Sequence, residues 1–171
     1  MLSEERIKEA TNNLIKCHSE GLIRKEEFRQ IVFDTYSRNH NESLKLAERI
    51  FKENLSNLWA IVISYYSMFY IANAVLYKLG YKVREKFAHR ITADALIVHA
   101  RHKLKSNLIK EYNIAAEEAL SISDNLVENF NSERAKRAKF QYESTEEIKR
   151  VKAETSLKRA KEFSEELKKL L

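Results

Sequence analysis

At 171 residues, with no proline and two glycines, the chain is long enough for one domain with a real core and almost free of helix breakers, so it reads as all-α. Cys17, alone, excludes an internal disulfide and fits a reducing, cytoplasmic compartment. The net charge of +6 is uneven: +1 over residues 1–81, +5 over 82–105, −5 over 106–133 and +5 over 134–171. Two readings follow, a phosphate-binding patch where the fold joins the basic blocks, or solvated lysine-rich helix faces. Two glycines cannot build a phosphate-cradling loop.

In chain order, the N-terminus has no apolar signal region, so nothing argues for export. Ser3 is placed to cap a first helix running to about His18, with Ile7, Ala10, Leu14 and Ile15 inward and Gly21 as its stop. A second helix is predicted over residues 24–37, with Phe28, Ile31, Val32, Phe33 and Tyr36 as its apolar positions. The polar cluster over 37–43 reads as a break, and a third helix follows through Leu44, Leu46, Ala47, Ile50, Phe51 and Leu55.

The segment 55–81 is the most informative. No charge falls between Asn54 and Tyr77, and apolar or aromatic residues occupy nearly every side, as in a helix buried all round or lying in lipid. Four tyrosines, three serines and Asn73 interrupt it and no second such segment exists, so it reads as a core helix rather than a membrane span. Ser56 or Asn57 caps it, and Gly80 takes the left-handed position after its end. A basic connector over 81–91 comes next. Thr92 is a cap for the following helix, then a helix spans about 105–130 and a polar connector spans 131–145. The last helix starts near Thr145, with Ile148, Val151, Ala153, Leu157, Ala160, Phe163, Leu167 and Leu170 as one stripe. The whole reads as one domain with an N-terminal helical extension.

Several isolated features carry little chemistry. His99 and His102, three apart, can share a helix face, but no Cys or carboxylate stands at a supporting spacing, so no metal site is predicted. Cys17 and His18 face different ways on their helix. Asp124 and Glu128 read as a solvated face, or as a partner for a basic block of another subunit. Tyr65 and Tyr66 point about 100° apart, so at most one faces a cleft directly.

The order of elements, with Tyr65, Tyr66, Met68 and Phe69 as a Y-Y-x-M-F run, then L-G-Y-K, a lone His89 and the loop R-A-K-F-Q-Y, resembles the HEPN superfamily over residues 41–171. The resemblance leaves residues 1–40 as the extension and implies a bundle of four to five helices. It also implies a homodimer whose last connector and helix line a shared cleft. Members of this family are often metal-independent RNases of toxin–antitoxin or defence type, paired with a small nucleotidyltransferase, and no cofactor is implied. Their site is an Arg and a His separated by four to six residues, where His moves a proton and Arg stabilises phosphate charge.

The chain departs from that motif at its centre. Arg137 is followed after four residues by Tyr142, where the family keeps His. A phenol with a pKa near 10 is a poorer base at neutral pH than an imidazole near 6.5. Binding therefore survives this change more easily than catalysis, with Arg134, Lys136 and Lys139 adding charge beside Arg137. The bland alternative is an exposed basic turn with Tyr142 packed on the core. A literal match, Arg84 to His89, lies in the connector after the central helix, with Arg90 beside it. His89 is thus a candidate catalytic residue with Arg137 and Tyr142, or else a loop histidine. Arg84, Arg90, Tyr65 and Tyr66 join the nucleotide- or RNA-binding candidates. Tyr142 is also, by resemblance, a candidate acceptor of AMP from a nucleotidyltransferase. Three functions compete: a binding module for nucleotide, RNA or a nucleotidyltransferase, an RNA endonuclease, and a helical scaffold.

Overall fold

A computed structural model describes residues 2–84, 87–131 and 146–171, without the side chains of 106, 125–131 and 146–148. The described residues form an all-α bundle of six helices with one two-stranded ribbon. The helices are α1 (Glu4–Ser19), α2 (Gln30–Lys52), α3 (Asn57–Lys78), α4 (Ala88–Ala95), α5 (Ser106–Asn131) and α6 (Glu146–Lys168). Strands β1 (Ile23–Lys25) and β2 (Tyr81–Val83) pair antiparallel.

Helix α3 is the axis, with α2, α5 and α6 packed against it. Its ends follow local chemistry. The Ser56 hydroxyl accepts from the Trp59 amide, and Gly80, at φ +89°, turns the chain out past Leu79. It is long and apolar enough to cross a membrane, but 67% of its most apolar stretch is buried within the protein. Most of its polar groups are consumed by packing. Asn73 donates to Thr92, the Tyr77 hydroxyl bridges the Glu27 carbonyl and the Arg29 amide, and Ser67 sits against His40.

Helix α1 is capped by Ser3 and ended by Gly21 at φ +68°, as its residues predict, although Ile15 is exposed. Two other expectations are corrected. There is no break at 37–43: α2 runs unbroken through it, so residue 40 falls inside a helix. Phe33, Tyr36, His40, Leu44, Ala47 and Phe51 recur at helical spacing, and His40 holds a core position at 1% exposure because its Nδ1–H donates to the Ser67 carbonyl at 3.0 Å. Nor does a helix begin at Arg24. Residues 23–25 form a strand, burying Ile23 opposite Val83, and Glu26 holds both Arg24 and Lys82 at 2.8 and 3.2 Å, which offsets their cross-strand repulsion. Phe28 and Ile31, expected as apolar contacts of that helix, are exposed.

The segment after α3 is likewise not a featureless connector. It supplies β2, then α4, which starts at Ala88 rather than at a Thr92 cap, and Thr92 lies fully buried inside it. A wide π turn (Leu96–Ala100) and one 3-10 turn (Arg101–Lys103) lead to α5. On α6, Ala153, Leu157, Ala160, Phe163 and Leu167 are buried as expected, whereas Val151 is 57% exposed. The opposed charge blocks pair within the chain. Arg159 of α6 clasps Glu111 and Glu118 of α5, and Lys161 reaches Glu48 of α2.

Candidate functional site

Of the sequence candidates, Tyr65, Tyr66 and His89 come together. The ring centroid of His89 lies 5.4 Å from Tyr65, 5.7 Å from Tyr66 and 4.6 Å from Phe69. The aromatic run of α3 thus forms a three-sided seat for an imidazole carried by α4. Both adjacent tyrosines reach it, Tyr65 from the core and Tyr66 from a half-buried position. Arg90 is exposed beside His89, and Arg84 is exposed beyond β2 with its amide donating to the Leu22 carbonyl. Arg134, Lys136, Arg137, Lys139 and Tyr142 lie outside the described residues.

Hydrogen-bond accounting fixes the chemical state of this histidine. The Tyr65 hydroxyl is 2.6 Å from His89 Nδ1 and 3.4 Å from the hydroxyl of Tyr112 on α5. Tyr65 and Tyr112 are 1% and 0% exposed, so each needs a partner for its proton. If Nδ1 donated to Tyr65, the Tyr65 proton would go to Tyr112, and the Tyr112 proton would be stranded in the core. The reverse order leaves nothing stranded: Tyr112 donates weakly to Tyr65, and Tyr65 donates to Nδ1. Burial pushes both phenols well up, which keeps them protonated donors, and burial pushes His89 below its usual 6.5, which keeps it neutral. A neutral imidazole accepting at Nδ1 carries its proton on Nε2. Among the described residues that nitrogen has no hydrogen-bond partner. His89 is therefore set as a donor, the opposite of the arrangement a general base requires.

His89 lines a cleft of about 290 Å³ between α1, α4 and α5. Ala93, Ala116 and Leu120 give it apolar walls, and Arg6, Arg90, Asn113 and Glu117 its other polar groups. Arg6 comes from α1 and is already held by Asp94, at 2.5 Å. Asp94, 2% exposed, also accepts from Asn13 at 3.0 Å, so one buried carboxylate ties α1 to α4 at the cleft wall. Arg6, Asn13, Asp94 and Tyr112 were not legible as site residues. An acid inside the apolar stretch ADALIV was the one available signal.

His99 stacks on Tyr81 at 3.9 Å, His18 meets the same ring edge-on at 6.0 Å, and His102 is exposed. Among the described residues no three His, Cys, Asp or Glu side chains converge as metal ligands would. Burial lowers His40, His89 and His99 alike below 6.5. A proton binds the unfolded chain more readily than the folded one, so their contribution is complete above about pH 6.5 and is lost as pH falls through the lowered native values. Tm is expected to stay level from about pH 8 to 7 and to fall between about pH 6.5 and 5. A level Tm through the lower window would contradict the neutral assignment of the three rings.

No family model matches the chain, and no curated protein or solved structure matches it.

Proposed function

We propose that this protein is a binding module of HEPN type that takes RNA or a nucleotide and does not cut it. The observation that carries the proposal is the relay from Tyr112 through Tyr65 to His89. It makes the aromatic run of α3 a support for a hydrogen-bond donor at a cleft, and it occupies the one lone pair with which the neutral imidazole could accept a proton. Two sequence features agree with it. Tyr142 stands where catalysis would need His, and Arg134, Lys136, Arg137 and Lys139 supply cations for phosphate. A homodimer and a small nucleotidyltransferase partner, in a toxin–antitoxin or defence setting, complete the proposal on the strength of the sequence resemblance.

Phosphate contacts by those four cations make binding salt-dependent. About four contacts to a single strand predict a roughly 50-fold loss of affinity between about 50 and 200 mM salt. Fluorescence anisotropy with a labelled single-stranded RNA measures this. Affinity indifferent to salt, or no binding at the lower concentration, would remove the RNA-binding reading.

A further inference from the structure

The His89 cleft has a charge balance unlike that of a phosphate site. The Arg6 guanidinium is cancelled by Asp94 at 2.5 Å, and exposed Arg90 is opposed by exposed Glu117 on the facing helix. An anion entering here would gain one unpaired cation and meet a carboxylate. The other functional groups are of mixed sense: the Nε2–H of His89 donates, Glu117 accepts, and the Asn113 amide does both. Small apolar side chains, Ala93 and Ala116 with Leu120, form walls against which a flat ring can lie. At about 290 Å³ the cleft stands at the small end of ligand sites, suited to one ring system rather than a whole nucleotide.

Resting on the RNA- or nucleotide-binding reading above, we infer that this cleft takes the edge of a single nucleobase, with the attached phosphate left outside it. A base edge carries adjacent donors and acceptors, which match the Nε2–H of His89 and the carboxylate of Glu117 lining the same cleft, and unstacked bases are read in this manner by proteins that bind single strands. The N-terminal helix then belongs to the site, since α1 brings Arg6 to its wall and Asp94 holds it there.

The test is an NMR titration of the full chain, following the His89 ring nitrogens and the Asn113 side-chain amide. The probes are adenosine, guanosine, cytidine and uridine, with ribose 5-phosphate and inorganic phosphate as the phosphate-only arm. At least one nucleoside is expected to shift both signals, with an affinity that does not change with salt, while ribose 5-phosphate and phosphate leave them in place. Glu117→Gln, on an exposed position, is expected to weaken that nucleoside about tenfold, the size of one charge-assisted hydrogen bond. Shifts from the phosphate probes with silence from all four nucleosides would overturn the inference and make the cleft an anion site. Silence from every nucleoside in a protein that still binds RNA would sink the inference alone. Silence together with no RNA binding would sink both readings.

Discussion

Phe163→Ala is expected to cost about 3–5 kcal/mol and to lower Tm by roughly 6–20 °C. Phe163 is fully buried on α6 and stacks on Tyr112 of α5, with ring centroids 5.4 Å apart and planes at 29°. Truncation leaves a cavity where three helices meet and removes the support behind the Tyr112 hydroxyl. Stability and site are thereby linked: the ring that holds α6 on the core also holds the first donor of the relay to His89. Thermal unfolding followed by circular dichroism gives the magnitude, and a loss below about 1 kcal/mol would mean that the α5–α6 packing described above is wrong.

Asp94→Ala is expected to cost about 2–3 kcal/mol, less than the 3–5 of a fully enclosed pair, because Arg6 keeps contact with water. Its side chain is 29% exposed against 2% for Asp94. The loss should be local before it is global. With the carboxylate gone, neither Arg6 nor Asn13 has its tie to α4, so α1 detaches while α3 and its neighbours hold. Hydrogen exchange resolves this: amides of Glu4–Ser19 should exchange much faster than in the parent, and those of α3 should not. Unchanged protection of α1 would show that its apolar contacts through Ala10 and Leu14 suffice without the carboxylate.

The residues made the helical class and the central helix legible, because both rest on short-range signals. The uncharged run, the Ser56 cap and the glycine after its end are properties of a few neighbouring positions. The fold departs from those signals where tertiary contacts override them. The polar run at 37–43 looks like a break, yet its histidine packs inward because a carbonyl on another helix accepts its proton. Residues 23–25 are too few to display alternation, and only their partner at 81–83, far along the chain, makes them a strand. Thr92 looks like a cap and is a buried hydrogen-bond partner of Asn73.

The candidate site divides the same way. Motif and charge make His89, Arg90, Tyr65 and Tyr66 candidates, and the fold brings three of them into one cluster. Tyr112 and Arg6 were invisible, since each stands in an ordinary helical pattern and acquires a role only through a neighbour distant in sequence. The pairing of Arg137 with Tyr142 rests on the sequence, both residues lying outside the described part of the chain.

The function proposed for this bundle is RNA binding through its basic residues and the His89 cleft, without cleavage. Its most direct test is one incubation of the purified full chain with end-labelled single-stranded RNA at low salt and without metal, divided between a native and a denaturing gel. Binding without cleavage predicts RNA shifted on the native gel and intact on the denaturing one, with the shift weakened by His89→Ala. Shortened RNA that disappears with Arg137→Ala would contradict it and make the protein a nuclease. Unshifted, intact RNA would contradict it as well, and would leave the helices as a surface for protein contact alone.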